Sequence, residues 1–249
     1  MMATNSDLHG KVVLVTGAGS GLGAASARAF AQEGCGVACV DVDRAAAERV
    51  SNTLAAHDTP SLAFACDVSD EADVFTTVQA VAEQMGRLDI VVNNAAIDHT
   101  ISIAEMTVPQ WDKVIAVNLR GPFLFAKAAF PLMRARDGGH IVNIASTAAT
   151  RAWANAAAYH ASKWGVVGFS RALGVEGRPY GIRVTTVIPG GMKTHFFDRF
   201  ASQGIPMPDE ENLQDPANVA RVIVFATTMP GDSALQEVIV TPVTETSWP

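Results

Sequence analysis

The sequence predicts an α/β fold: one doubly wound sheet of about seven parallel strands with helices on both faces. Three observations carry this. Short β-branched runs alternate with longer Ala-rich helical stretches along the chain. The β-branched runs are apolar throughout rather than alternating, which is the pattern of parallel strands covered on both faces. A Gly-rich segment, TGAGSGLG from Thr16 to Gly23, joins the first run to the first helical stretch.

Taken in order, Lys11–Thr16 (KVVLVT) reads as the first strand and Gly21–Gln32 as a helix. Gly36–Asp41 reads as a second strand, followed by a helix with an acidic start over Asp43–Ala56. Leu62–Cys66 is the third strand, and a helix begins at about Asp70 with Ser69 as its N-cap. Leu88–Asn93 (LDIVVN) is the fourth strand, and a long helix fills much of Pro109–Arg134. His140–Ser146 is the fifth strand, Ala157–Glu176 a helix, and Ile182–Ile188 the sixth strand. Asp215-Pro216 opens a further helix with a capping Asp and Pro in the first helical position. Glu237–Thr241 is a last short strand. Each crossover is expected to be right-handed. No linker, repeat or low-complexity segment divides the chain, so residues 1–249 read as a single domain. The stretch Gly190–Gln214 alone breaks the alternation, and loops of that length are often lids over a binding site.

Composition narrows the functional classes. With a formal net charge of −7 and no Lys/Arg cluster, nucleic acid is not an expected partner. No apolar stretch approaches the roughly 20 residues of a membrane-spanning helix. The N-terminus, MMATNSDLHGK, lacks the basic start and apolar run of a signal peptide. Cys35, Cys39 and Cys66 lie in apolar strand-like segments and read as small buried thiols, consistent with a reducing cytoplasm. The six histidines are scattered and form no metal-ligand spacing.

The phosphate end of a ligand site is visible first. Gly17, Gly21 and Gly23 permit a tight turn and a close backbone approach to a pyrophosphate. Ser20, Gly21, Leu22 and Gly23 open the helix whose N-terminus offers N–H groups and partial positive charge to that anion. The spacing, G-x-x-x-G-x-G, is not the literal G-x-G-x-x-G of the dinucleotide fingerprint. Asp41 ends the second strand, 18 residues after Gly23, where a carboxylate can accept both adenosine ribose hydroxyls and repel a 2′-phosphate. That favours NAD over NADP; Arg44 is the counter-evidence. The alternative for Asp41 is a helix cap, a role Asp43 suits better. Asp67 and Val68 end the third strand, placed to meet the adenine, and Asn93, Asn94 and Ala95 end the fourth. For Asn93 a tie between strands is as good a reading as a contact to the cofactor.

The chemical end follows. Tyr159 and Lys163 are four apart on a helix, so both project from one face. A phenol titrates at about 10, and a neighbouring ammonium lowers that towards the range useful for general acid/base work. Ser146 sits at the end of the fifth strand, on the carboxyl edge where α/β sheets hold ligands. Asn118 is a polar residue among Ile, Val and Leu in the long helix; it reads alternatively as solvent-facing or as a bend in that helix.

The set TGAGSGLG, Asp67, NNAA, Asn118, Ser146, YHASK and IPGGMKT, in that order, resembles the short-chain dehydrogenase/reductase family from about Lys11 to Thr194, more weakly to the C-terminus. The resemblance implies a Rossmann-type fold, an NAD(H)-dependent oxidoreductase of alcohols and carbonyls, and a catalytic tetrad of Asn118, Ser146, Tyr159 and Lys163. It implies that Ser146 and Tyr159 hold the substrate oxygen and that Tyr159 moves the proton as hydride passes to or from the nicotinamide. It also implies that Lys163 binds the nicotinamide ribose and that Asn118 holds a water relaying protons to solvent. Thr194 and the Pro189-Gly190 turn would contact the nicotinamide amide and pyrophosphate side. Association through the two long helices into a homotetramer or homodimer is a further implication. Three positions depart from the family pattern: Ala96 replaces a usual Gly, Thr185 a usual Asn, and the tail EVIVTPVTETSWP lacks Asp-Gly-Gly.

Around the substrate the sequence places Ile97, Asp98, His99, Thr147, Ala148, Trp153, Gly191 and Met192, with the loop 195–214. No Arg/Lys cluster stands ready to clamp a carboxylate or phosphate, so a neutral or weakly polar secondary alcohol or ketone is expected. His99 and His195 are weaker candidates. Competing functions are reduction of a 3-oxoacyl thioester on a carrier protein, and a non-catalytic NAD(H)-sensing protein. Asp41 and the acidic charge count oppose the first; the complete Ser/Tyr/Lys set opposes the second. A sugar-nucleotide epimerase would need a longer chain for its substrate domain.

Overall fold

The computed structural model describes residues 8–198, 200, 205 and 207–245. The segment read for a signal peptide is therefore outside the described residues over 1–7, and the tail over 246–249. Seven strands pair in the order β3-β2-β1-β4-β5-β6-β7, every pair parallel. They are β1 (Val12–Thr16), β2 (Gly36–Asp41), β3 (Ser61–Ala65), β4 (Ile90–Asn93), β5 (Gly139–Ile144), β6 (Ile182–Pro189) and β7 (Glu237–Val240). The order reverses between β1 and β4. That switch point opens the crevice in which such sheets bind ligands.

Successive residues of β1 and β2 explain why these strands are apolar throughout. Val13, Val15, Val37 and Cys39 enter one core; Val12, Leu14, Ala38 and Val40 enter the other. The first core is closed by α1 (Gly21–Gln32), α2 (Arg44–Ala55) and α7 (Pro216–Thr227), with Phe30 fully buried. The second is closed by α3 (Glu71–Gln84), α5 (Gly121–Arg134) and part of α6 (Ala157–Gly177), around Leu14, Phe125 and Met133. All three cysteines are buried thiols, and burial pushes Cys39 and Cys66 up to about 11.

Local signals start most helices. Asp43 caps α2 and Asp215 caps α7, each accepting from a first-turn N–H. One cap is not the expected one. Asp70, not Ser69, caps α3 by accepting from the Asp73 amide, while the Ser69 hydroxyl donates to Asp67 at 2.6 Å. A carboxylate outcompetes a hydroxyl that already has a charged acceptor beside it. The third and fourth strands also shift at their ends. In particular β4 begins only at Ile90, because the Asp89 carboxylate accepts from the Val12 amide and holds Arg87.

The helix expected over 109–134 is interrupted. α4 (Val108–Ile115) starts at a Thr107/Gln110 capping box and runs into a π-turn, Ala116–Arg120, before α5. Such a turn inserts one residue into the helical ladder and is often found at functional sites. The residue at its centre is Asn118.

Candidate active site

A cavity of about 820 Å³ opens along the carboxyl ends of the strands, across the switch point. At one end lies the Gly-rich turn. Gly17 (φ +64°) and Gly21 (φ +51°) take left-handed conformations that suit glycine. A Cβ on Gly23 would sit 1.9 Å from the Gly17 carbonyl oxygen, so that residue supports the turn by packing rather than by lining the cavity. Ser20, the N-cap of α1, makes no side-chain cap bond. The first turn of α1 therefore offers its backbone N–H groups to an anion. This chemistry fits the pyrophosphate of a dinucleotide.

Asp41 also lines the cavity. One carboxylate oxygen accepts from the Gly19 amide at 2.9 Å and the other from the Asp43 amide at 3.0 Å. It is thus aimed back at the Gly-rich turn, while Asp43 is the actual helix cap. Arg44 turns away and pairs with Glu48 at 2.8 Å. Further along, Asp67 is held well below the usual carboxylate range, first by the Ser69 hydroxyl and also by Lys113. The Lys113 ammonium donates to it at 3.0 Å. Val68 lines the same wall.

The paired asparagines divide their work. Asn93 is buried and donates to Asn143 at 2.8 Å, tying β4 to β5; the strand-tie reading holds for it. Asn94 donates to the Thr16 carbonyl at 2.9 Å and so spans the switch point from β4 to β1. The Thr16 hydroxyl accepts from the amides of Asn94 and Ala95 at 2.9 and 3.0 Å. Asn94, Ala95 and Ala96 all line the cavity, and Pro189, Gly190 and Thr194 face them from the other side of the crevice.

At the chemical end Ser146, Tyr159 and Lys163 converge on the cavity. Ser146 follows β5 and caps the short turn Thr147–Ala149, its oxygen accepting from the Ala148 amide at 3.2 Å. Tyr159 lies in the first turn of α6 and Lys163 one turn later. Lys163 is buried, donates to the Ile144 carbonyl at 2.8 Å and stands 5.5 Å from the centre of the Tyr159 ring. Burial pulls its ammonium down to about 8.

Asn118 does not line the cavity and is not solvent-facing; it is 1% exposed. Its side-chain oxygen accepts from the Ile97 amide at 2.8 Å, and its nitrogen donates to the Ile97 carbonyl at 2.8 Å and to Ser162 at 3.1 Å. Ser162 in turn donates to the Tyr159 carbonyl at 2.7 Å. The helix distortion at Asn118 thus joins the wall after β4 to the start of α6.

The wall expected to surround the substrate differs more from the sequence reading. Trp153, Gly191, Met192 and His195 line the cavity, as do Ile97, Asp98 and Thr147. Ala148 does not: it is fully buried and packs with Ala156 behind Tyr159. Its carbonyl meets His160 Nδ1 at 2.7 Å, which fixes it in the fold. His99 also lies off the cavity. The irregular stretch 190–214 contributes Phe196, Phe197 and Phe200, which belong to the loop 195–214 expected around the substrate and form the run HFFDRF, although the sequence singles out none of them by itself. Within that stretch, residues 199, 201–204 and 206 are outside the described residues. Arg151 and Glu245 were also missed. They pair at 2.7 Å on the cavity wall although 94 residues apart, and no local signal announces such a contact. Thr185, the departure from the usual Asn, is buried and donates to the Leu235 carbonyl at 2.6 Å.

Comparison with known proteins identifies the family and agrees with the fold. Residues 11–204 match the family model described as short chain dehydrogenase. The chain is 44% identical over 182 residues to D-threitol dehydrogenase of Mycolicibacterium smegmatis, covering 73% of this chain and 70% of that one. It is 39% identical over 196 residues to levodione reductase of Leifsonia aquatica, covering 78% and 73% respectively. Among solved structures, a metagenomic short-chain oxidoreductase in complex with NADP superposes with a TM-score of 0.83 at 32% identity, over 96% of this chain and 100% of that one.

Proposed function

Because the chain belongs to the short-chain dehydrogenase/reductase family and is an oxidoreductase acting on CH–OH donors, we propose that it interconverts a secondary alcohol and a ketone with NAD(H), using Tyr159 as general acid and base. The observation that supports this most is the convergence of Ser146, Tyr159 and the buried Lys163 on one cavity.

In reduction the Tyr159 hydroxyl gives its proton to the substrate oxygen; in oxidation the same oxygen takes it back. The Ser146 hydroxyl donates to that oxygen and holds it against Tyr159. Lys163, anchored on the Ile144 carbonyl, places positive charge beneath the phenol and favours its ionised form. Asn118 acts as a positioning residue: both of its side-chain N–H donors are taken by protein, so its relay role is not through those donors. When bound, the dinucleotide supplies the hydride acceptor or donor. Gly17, Ser20, Gly21 and Leu22 would hold its pyrophosphate, with Gly23 keeping the turn tight. Asp41 would hold the adenosine ribose, Asp67 and Val68 the adenine. Asn94, Ala95, Pro189, Gly190 and Thr194 would lie along the nicotinamide side with Tyr159 and Lys163.

We favour NAD because Asp41 faces the Gly-rich turn and the nearby Arg44 is engaged by Glu48. NADP is the second reading, since the solved relative at 32% identity carries it. Reduction of a 3-oxoacyl thioester and non-catalytic NAD(H) sensing are the less favoured functions, for the reasons of charge and residue set given above. The whole chain is read as one dinucleotide-binding and catalytic domain, with 190–214 as its lid. Exposed Phe123 on α5 and Trp164 on α6 support association through these helices into a homotetramer or homodimer. No helix among the described residues is long and apolar enough to cross a membrane, and the three buried thiols favour a reducing, cytoplasmic setting.

The test is oxidation of a panel of secondary alcohols, and reduction of their ketones, followed by NADH absorbance. Tyr159→Phe should lose about 10²–10⁴-fold in kcat while keeping its NADH affinity. A variant as fast as wild type would exclude Tyr159 as the proton carrier.

A further inference from the structure

The Arg151–Glu245 pair sits where it can select the substrate. Arg151 follows the Ser146 turn, and Glu245 lies in the chain's tail beyond β7. Both side chains are mostly buried, 18% and 14% exposed, and both line the cavity that holds Ser146 and Tyr159. Two bonds hold the end of β7 and a third holds the tail. The Gly190 amide donates to the Val240 carbonyl at 2.8 Å, Gln214 donates to the same carbonyl at 2.8 Å, and Thr244 donates to the Glu211 carbonyl at 2.5 Å. A Cβ on Gly190 would lie 2.9 Å from a Glu245 carboxylate oxygen, so glycine there leaves the acid its place. On the other side the Arg151 guanidinium lies 5.8 Å from the centre of the Trp153 ring. The two charges are therefore held against one another by the fold.

Resting on the oxidoreductase reading above, we propose that this ion pair is a specificity device: it selects a neutral substrate bearing a second hydroxyl or ketone oxygen and rejects one bearing a carboxylate. An unpaired Arg151 in this wall would attract an acid. Paired with Glu245 it presents no net charge, and an entering carboxylate would meet a fixed carboxylate in a partly desolvated site. A hydroxyl has no such conflict, since it can donate to Glu245 and accept from Arg151. Specificity arises from the repulsive partner as much as from the attractive one. Trp153, Phe196 and Leu213, in the same cavity, supply an apolar surface for the carbon frame.

The experiment compares a cyclohexanediol with a hydroxycyclohexanecarboxylate, which share the ring and the reacting alcohol. Wild type should favour the diol at least tenfold in kcat/KM. Glu245→Gln should raise the acid-to-diol ratio at least tenfold, mainly through the KM for the acid, and Arg151→Met combined with Glu245→Gln should abolish that gain. An unchanged ratio in Glu245→Gln, or a wild type that already favours the acid, would overturn the proposal. Binding of cyclohexanol and cyclohexanecarboxylate to the wild-type NADH complex, measured by calorimetry, needs neither a variant nor turnover. Weaker binding of the carboxylate supports the device, and equal or tighter binding removes it. Absence of turnover on every alcohol would instead count against the oxidoreductase reading alone.

Discussion

The two ends of the cavity are built on different principles. At the Gly-rich turn the ligand surface is backbone: the start of α1, the Gly17–Gly23 packing and the amides aligned by Thr16. Beyond Pro189 it is side chain, assembled from an irregular stretch and a tail that are joined by long-range contacts. A backbone surface tolerates little change because a peptide group cannot rotate out of the way. A side-chain surface can be re-specified one residue at a time. The first suits a constant ligand and the second a variable one.

Glycine substitutions set this contrast at its sharpest. At Gly23 a new Cβ meets the Gly17 carbonyl at 1.9 Å, whereas at Gly191 it first meets the end of the Leu213 side chain at 2.8 Å and then the Asn212 carbonyl at 3.1 Å. Gly23→Ala should cost about 1–3 kcal/mol of stability through overpacking. Its NADH affinity should fall about tenfold or more, the equivalent of at least about 1.4 kcal/mol. Gly191→Ala should keep its NADH affinity and raise the KM for the alcohol. Fluorescence titration and steady-state kinetics measure both, and equal loss of NADH binding in the two variants would break the contrast.

Asp41 tests the cofactor end by charge. Its carboxylate should weaken NADPH by repulsion and strengthen NADH by accepting hydrogen bonds. Asp41→Ala is expected to narrow the NADH-over-NADPH preference by roughly tenfold, the worth of a charge-assisted hydrogen bond of about 1.5–3 kcal/mol less partial replacement by water. A wild type that already prefers NADPH would show that the carboxylate does not choose the cofactor.

The last test concerns Lys163 and the acidity of the medium. Burial lowers its ammonium from 10.5 to about 8, so the unfolded chain binds that proton more tightly than the fold does. Between those values the unfolded state holds more protons, and this group's contribution to stability rises with pH. Wild type should therefore gain on Lys163→Met in thermal unfolding as pH is raised from about 8 towards 10.5. Parallel melting curves across that window would mean that the lysine is better solvated than its burial implies.

Many of the residues that line the cavity were legible in the sequence, and the reason is local. The strand–turn–helix unit from Thr16 to Gly23, the terminal Asp41 and the four-residue step from Tyr159 to Lys163 each depend on few neighbouring residues. Asn118 was half legible: a polar residue in an apolar helix suggested a bend, but the π-turn and the bonds to Ile97 and Ser162 required the packed neighbours. Ala148 was misplaced because its position in the chain, two residues past Ser146, resembles that of a wall residue. A tight turn instead rotates it into the interior behind Tyr159.

The sequence by itself determined the sheet, its alternation with helices, the Gly-rich turn after the first strand and the helical step that sets Tyr159 and Lys163 on one face. Periodicity, glycine placement and helical spacing are short-range properties that survive outside any particular fold. Only the tertiary structure decided that Asn93 ties strands, that Lys163 is buried against Ile144, and that Arg151 meets Glu245 across 94 residues. Those contacts depend on where the chain returns after many turns, and burial, which sets the charge on Lys163, exists only once the sheet and its helices have closed.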